Sequence, residues 1–266
     1  MGEVIYKPLI EDMTWSFSRV EAYDDCPYRW YLRYICRCEE KDQFYSSYGS
    51  FMHKLLEEFY KGNIHKEELP LLFLRNFKNE VRGIRPKSQI VESYIQSGKQ
   101  FLETFTPFTY NPLAIEERVN FEIDGIPFTG FIDYLGEDNG DYIIIDHKSR
   151  SLRPRSGKKT PTAKDKELDE MLKQLYLYAG AVNQIYGKFP KYLCFNCFRN
   201  GVFIREPFDE GIYHETVRWI KERITEIENS EEFTPHEDFF SCYYLCGVNE
   251  FCDTFKERMN KKNENG

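Results

Sequence analysis

Gly130-Phe131-Ile132-Asp133, followed after nine residues by Ile143-Ile144-Ile145-Asp146-His147-Lys148, is the stretch that decides the fold. Asn139-Gly140 lies between the two segments and is the favoured pair for a two-residue type I′ turn, so the segments read as a β-hairpin. With that turn, 138 pairs with 141 and paired numbers sum to 279, which sets Asp133 opposite Asp146. Cβ atoms of directly opposed residues lie roughly 4.5–5.5 Å apart, a distance at which two carboxylates repel. A divalent cation is the natural neutraliser of such a pair. Lys148 follows Asp146 by two residues and projects from the same face of the strand.

Two acids able to hold Mg²⁺, beside an amine able to orient a water, suit hydrolysis of a phosphodiester. A second turn pair, Asp124-Gly125, joins the strand 113–123 to the strand bearing Asp133. Pairs there sum to 249, which places Glu116 opposite Asp133, so three acids are expected in one row across the sheet. The apolar run Ile143-Ile144-Ile145 predicts a central strand covered on both faces.

The 266 residues suffice for one large domain. With 41% hydrophobic and 17% aromatic residues, a sizeable core is available. The net charge of −8 argues against a passive nucleic-acid coat, which needs a positive field, but leaves room for an acidic metal site beside a local basic groove. No apolar run is long enough to span a membrane, and Met1–Ile10 lacks the basic-then-apolar pattern of a secretory signal, so a cytoplasmic location is expected. Eight cysteines then point to metal ligation or burial rather than to disulfides.

Along the chain, Ser16 or Ser18 can cap a helix running to about Tyr34, interrupted at Cys26-Pro27. Helical spacing recurs over 48–60 (Phe51, Leu55, Phe59), 66–82, 88–106, 166–186 and 210–229. A hairpin is expected over 191–206 around Asn200-Gly201. Residues 148–166 carry eight Lys or Arg against one acid, Asp165, with Pro and Gly interruptions, which reads as a mobile loop. It is either a solvated linker or a phosphate-contacting loop. From Phe233 the chain is rich in aromatics and cysteines, and the polar end, 256–266, is expected to fray.

Helices on both sides of a largely antiparallel sheet bearing Asp and then Asp-x-Lys resemble the PD-(D/E)XK nuclease superfamily, and within it the RecB-type branch of CRISPR-adaptation nucleases, AddB nuclease domains and phage RecB-like exonucleases. Ser16-Phe17-Ser18-Arg19 through Cys26-Pro27-Tyr28-Arg29-Trp30 to Tyr34 is similar to the branch's N-terminal helix, Gly49-Ser50-Phe51-Met52-His53 to its metal-histidine helix, and Gln174-Leu175-Tyr176-Leu177-Tyr178 to its Gln-x-x-x-Tyr motif. One departure is Ile132, which stands where the family has proline and is not a ligand position.

The resemblance implies an α/β, restriction-endonuclease-like core: a mixed, mostly antiparallel sheet flanked by helices in a single domain over 1–266. Its helical part is 14–106, its catalytic sheet 110–207, and its helix and cysteine-rich part 208–256. It implies that Asp133, Asp146, His53 and the backbone carbonyl of His147 bind Mg²⁺ or Mn²⁺. Imidazole raises the preference for Mn²⁺ over an all-oxygen site. Lys148 would orient the attacking water and stabilise developing charge, and Gln174 and Tyr178, one helical turn apart, would position the DNA strand or the lysine.

Against these stand blander readings: a surface histidine for His53, an ordinary strand-end lysine for Lys148, a core Tyr178 with an exposed Gln174, and a solvated Glu57. Glu116 is intermediate, its pairing placing it near the metals. The implied activity is a DNA nuclease, favouring exonucleolytic action on single strands or DNA ends in recombination, repair, phage replication or CRISPR adaptation. A catalytically silent DNA-binding or assembly subunit is the alternative, and no RNP-type aromatic platform supports an RNA substrate. The chain holds no Gly-x-x-x-x-Gly-Lys-Ser/Thr, so a helicase or recombination motor would be a partner.

Cys242-x3-Cys246-x5-Cys252 groups three cysteines, and Cys26 lies 216 residues upstream of Cys242. The resemblance implies a structural [4Fe–4S] cluster on these four, although the first gap is longer than the commonest two. Four thiolates also fit tetrahedral zinc, and burial is the third reading. Cys194 and Cys197 fall in a strand, where their spacing sends them to opposite faces. Cys36 and Cys38 look spare, though near enough to Cys26 to be alternative ligands.

Overall fold

The computed structural model describes residues 6–264. The expectation for Met1–Ile10 therefore rests partly on residues outside the described ones. Ser16 caps α2 (Phe17–Asp25) through its hydroxyl, which accepts the Arg19 N–H at 3.2 Å, after a short α1 (Lys7–Glu11). The chain turns extended at Cys26, as Pro27 requires of its predecessor, then resumes as α3 (Pro27–Trp30) and a π-helical turn (Tyr31–Ile35). The helices α4 (Phe44–Tyr60), α5 (Leu69–Glu80) and α6 (Ser88–Thr104) follow, and bury Tyr48, Phe51, Phe73, Phe77 and Phe101 among themselves.

The five-stranded sheet has the order β1 (Asn111–Ile123), β2 (Ile126–Asp138), β3 (Asp141–Lys148), β4 (Tyr192–Cys197), β5 (Val202–Pro207). All neighbours are antiparallel except β3 and β4. That parallel pair needs a long crossover, which is the loop after Lys148 and α7 (Ala163–Tyr186). Asn139 and Gly140 have φ of 53° and 81°, the left-handed pair of a type I′ turn, and Asp124-Gly125 repeats it with 48° and 81°. Both turns fix the expected registers: Asp138 pairs with Asp141 and Ile123 with Ile126.

Ile143, Ile144 and Ile145 are all buried in the central strand, as their run predicts. Ile144, Leu193 and Phe195 pack on the side of α7 and α8 (Glu210–Asn229), and Ile143, Ile145 and Cys194 on the other. Cys194 and Cys197 are both fully buried, in different clusters on the two faces.

Two expectations are corrected. The end of the chain is not frayed from 256: α9 spans Asp253–Glu264, and only 265 and 266 lie outside the described residues. The basic stretch is not a free loop. Asp165 closes a capping box with Thr162 at the head of α7, and its carboxylate also accepts the Ser156 N–H and hydroxyl, both at 2.7 Å. These bonds hold it well below the usual carboxylate range. Leu152 is buried, and Arg150, Arg155 and Lys164 pair with Glu167, Asp169 and Glu206. A single acid in the stretch anchors it because that acid faces inward, and neighbouring elements supply the counter-charges that composition counting omits.

Among the described residues no helix is long and apolar enough to cross a membrane.

Candidate metal centre

The β2–β3 ladder runs from Asp138↔Asp141 to Tyr134↔Ile145 and stops one pair short of the two acids. The strands part there. The His147 N–H, released from the ladder, donates to Asp133 Oδ2 at 2.7 Å. Asp133 and Asp146 are 9% and 5% exposed, so the fork carries two carboxylates that water barely reaches. Burial, then the charge of Asp146, pushes the Asp133 carboxyl far above its ordinary range, with His53 acting against both. Such a pair is relieved by a proton on one carboxyl or by positive charge placed beside it.

The β1–β2 register sums to 249 on both sides of Glu116, with Ile115↔Tyr134 and Glu117↔Ile132, but Glu116 and Asp133 do not form a ladder pair. Glu116 instead takes φ 48°, in the left-handed region, at a cost on the order of 1–3 kcal/mol for a residue other than glycine. The twist carries its carboxylate to α4, where Oε1 lies 2.9 Å from His53 Nδ1. His53 Nδ1 is also 3.5 Å from Asp133 Oδ2, and its Nε2 is 2.9 Å from the His147 carbonyl oxygen. His53, Glu116 and Asp133 thus offer donor atoms within 4.8 Å of one another.

The expected single row of three acids is therefore corrected. Glu116 and Asp133 meet over His53, whereas the Asp146 carboxylate turns to Lys148, whose Nζ lies 2.9 Å from Oδ2. The left-handed residue and the fork break the row that ideal pairing would give.

These residues fit a hard divalent cation. Burial alone would lower the His53 pKa, but Asp133 and the bond to Glu116 outweigh it and raise it to about 9. Protonated on both nitrogens, the imidazolium can donate to Glu116 and to the His147 carbonyl, so positive charge is stabilised at that spot. The 2.9 Å from Nε2 to the carbonyl is also close to the separation of two adjacent donors on a six-coordinate ion with bonds of about 2.1 Å. Asp146 Oδ2 is buried beside the Lys148 ammonium at 2.9 Å, and a carboxylate oxygen so placed keeps a second lone pair that an ion can use.

The His147 side chain is placed away from this chemistry. It is buried against Tyr60, Phe108 and Phe198, its Nδ1 lies 3.1 Å from Asn196 Nδ2, and burial keeps its pKa well below the ordinary value.

On the far side of Asp146, Lys148 Nζ donates to Gln174 Oε1 at 2.7 Å, and Gln174 Nε2 donates to the Tyr178 hydroxyl at 3.2 Å. Gln174 is thus not simply exposed, and Tyr178 is core and site at once, its hydroxyl pushed up to about 12 by burial. The Tyr178 ring lies over Gly130, where an added Cβ would fall 2.5 Å from Cε1. Gly130→Ala is accordingly expected to shift the ring and destabilise the fold by about 1–3 kcal/mol, read as a lower unfolding midpoint. Glu57 pairs with Lys61 and leaves the site to its neighbours.

Glu116 is a residue that motif reading undervalued. The turn register pointed to it, but its left-handed backbone has no signature in the sequence. Asn196, which holds the His147 ring, carried no signal at all.

The fold brings Cys26 to the same cavity as Cys242 and Cys246, with Cys252 near enough to Cys242 to act on its charge. Cys26 Sγ accepts the Arg29 N–H at 3.3 Å and the His236 N–H at 3.4 Å. Cys26, Cys242 and Cys246 line a cavity of about 410 Å³ with Arg29, Arg150 and His236. Burial and then neighbouring thiols, Cys26 and Cys252, push the Cys242 thiol up. Burial raises Cys246 to about 11.

A family model described as the PD-(D/E)XK nuclease superfamily matches residues 14–253. The chain belongs to this superfamily. Its relatives include an ATP-dependent helicase/deoxyribonuclease subunit of Clostridium botulinum (strain Langeland), 28% identical over 174 residues, covering 50% of this chain and 15% of that one. The protein of the same name from Carboxydothermus hydrogenoformans is 29% identical over 187 residues, covering 55% and 17%. The chain thus spans about a sixth of the length of these curated relatives. A solved structure from Eubacterium rectale, described as a candidate exonuclease, aligns with a TM-score of 0.50 over 95% of this chain and 93% of that one at 12% identity, which shows a shared fold.

Proposed function

We propose that this chain is a divalent-cation-dependent DNA nuclease, acting as an exonuclease on single strands or DNA ends. The observation that carries the reading is the convergence of Asp133, His53 and the His147 carbonyl at a strand fork, with Asp146 linking that fork to Lys148. A Mg²⁺ or Mn²⁺ ion held by Asp133, Asp146, His53 and the His147 carbonyl would supply Lewis acidity and a more acidic bound water.

The protein's own groups do the rest. Lys148, held by Gln174 and Asp146, keeps its ammonium beside the acids, where it orients the nucleophilic water and stabilises charge gained by the phosphate oxygens. Tyr178 fixes Gln174 and so fixes the lysine. Arg153, Lys158 and Lys159 are exposed on the anchored loop after Lys148 and carry no ion pair among the described residues, which suits contact with the DNA backbone. The relatives are named as helicase subunits, which supports a motor protein as partner, in recombination or repair.

Mn²⁺ with end-labelled linear DNA is expected to give digestion from the ends, with closed circular DNA intact. Chelation should stop it completely, and fresh Mn²⁺ should restore it. Digestion that persists in chelator would overturn the metal reading. Nicking of closed circles at the linear rate would overturn the exonuclease reading.

The thiols of Cys26, Cys242, Cys246 and Cys252 are assigned to a structural [4Fe–4S] cluster. Backbone N–H groups aimed at Cys26 Sγ suit a thiolate ligand. Zinc, with Zn–S of about 2.3 Å, needs thiolates roughly 3.8 Å apart. Zinc without iron after anaerobic purification would reverse the assignment.

A further inference from the structure

His53 can serve a cation only through one nitrogen, and the fold decides which. Its Nε2 faces the His147 carbonyl oxygen at 2.9 Å, on the side of the fork. Its Nδ1 faces Glu116 Oε1 at 2.9 Å and lies 3.5 Å from Asp133 Oδ2, so Glu116 is the nearer of two carboxylates at that nitrogen. A cation that binds one nitrogen of the imidazolium displaces the proton there, and the neutral ring keeps its other proton on the nitrogen whose hydrogen bond holds it. A carboxylate can only accept, so Glu116 places the proton on Nδ1 and leaves the Nε2 lone pair facing the carbonyl. Without Glu116 the only carboxylate left near Nδ1 among the described residues is Asp133, at 3.5 Å and already accepting the His147 N–H, so the imidazole more readily puts its proton on Nε2 and donates to that carbonyl, which would block both donors at once.

We propose that Glu116 is a positioning residue for the metal centre: it holds the Nδ1 proton of His53 and so presents Nε2, with the His147 carbonyl, as a paired donor set for the cation. This inference rests on the metal-nuclease reading above. It assigns Glu116 a task distinct from that of Asp133, although both carboxylates lie near the same imidazole. Among the described residues the contact joins β1 to α4, so it also sets the rotamer of the ring by fixing its far edge.

The test is a cycle of Mn²⁺ affinities by titration calorimetry on the whole chain, with unfolding midpoints recorded for every variant. Glu116→Gly removes the carboxylate and suits the left-handed backbone at this position. It is expected to weaken Mn²⁺ binding about 10–100-fold, the usual effect of losing a carboxylate that orients a metal histidine. Glu116→Gln keeps an oxygen that can accept the Nδ1 proton and is expected to bind Mn²⁺ nearly as tightly as the wild type. His53→Ala weakens binding, and adding Glu116→Gly to it is expected to change nothing more, because a positioning residue has nothing left to position.

A further loss in the double variant, or a loss in Glu116→Gln equal to that in Glu116→Gly, would make Glu116 a direct anionic ligand and overturn the proposal. Unchanged affinity in Glu116→Gly would overturn it as well. Should Glu116→Gly not fold, Glu116→Gln alone decides between the two roles. Absence of Mn²⁺ binding by the wild type would instead refute the metal reading beneath it.

Discussion

Lys148→Ala is expected to slow DNA cleavage by about 10²–10³-fold while Mn²⁺ affinity stays close to that of the wild type. The size follows from removing one preorganised positive group from a site that excludes water, about 2.7–4 kcal/mol of transition-state stabilisation. The separation of rate from affinity follows from geometry. Of the four cation donors Lys148 touches only Asp146, which lies on β3 and stays there without it, so its loss should leave His53, Asp133 and the His147 carbonyl in place.

Asp146→Asn is expected to behave differently, losing both cleavage and cation affinity. It should also raise the unfolding midpoint of the cation-free protein, since it removes one of two like charges buried together at the fork. A gain in stability paired with a loss of function would mark the fork as a place where the fold holds repulsion for the sake of a ligand. Single-turnover cleavage with saturating Mn²⁺ measures the first effect. Calorimetric titration and thermal unfolding measure the second. Lys148→Ala cutting within threefold of the wild type would remove the lysine from the mechanism.

Much of this site is legible in the amino-acid sequence alone, and the reason is local chemistry. Asn-Gly and Asp-Gly pairs set turn type, turn type sets register, and register puts Asp133 near Asp146 and Glu116 without knowledge of the rest of the chain. Gln174 and Tyr178 share a face because a helix has 3.6 residues per turn, and their contact with Lys148 only required α7 to cover β3.

The features that local chemistry does not reveal depend on distant packing. The fork between β2 and β3 and the left-handed residue at Glu116 arise where strands leave ideal pairing, and the Asn196–His147 contact arises from the parallel pairing of β3 with β4, strands joined only by a long crossover. The basic loop misled for the same reason: Glu167, Asp169 and Glu206 are its counter-ions, and only the fold brings them there.

Cys242→Ala is expected to abolish the iron–sulfur chromophore entirely, taking bound iron from about four atoms per chain to none. Its structural consequence should nonetheless be confined to the C-terminal end. Cys26 and Cys242 close a very long loop, and in an otherwise free chain such a tie would be worth several kcal/mol, on the order of 5 by the chain-entropy model. Here the loop is already closed without the cluster. Phe233 stacks on Trp30 at 5.6 Å and Tyr31 at 5.0 Å, edges against Tyr6 and Tyr23, and the Tyr28 N–H donates to the Thr234 carbonyl at 3.3 Å.

Thiolates bound to the proposed cluster would therefore add only the short segment between Phe233 and Cys242 to a junction that packing has made, and loop-closure entropy grows slowly with length. Beyond that junction the hold is made by His236 on the Asp25 carbonyl and Cys26 Sγ, Lys41 with Glu250 and with the Gly247 carbonyl, the buried Val248, and the Tyr244 and Phe240 rings against Tyr45. Hydrogen exchange in Cys242→Ala should thus rise across residues 236–261 and stay near wild type in α7 and the sheet, with the protein colourless and less soluble. Exchange that rises through β3 and α7 as well would show that the cluster, not the Phe233 junction, joins the two ends of the chain.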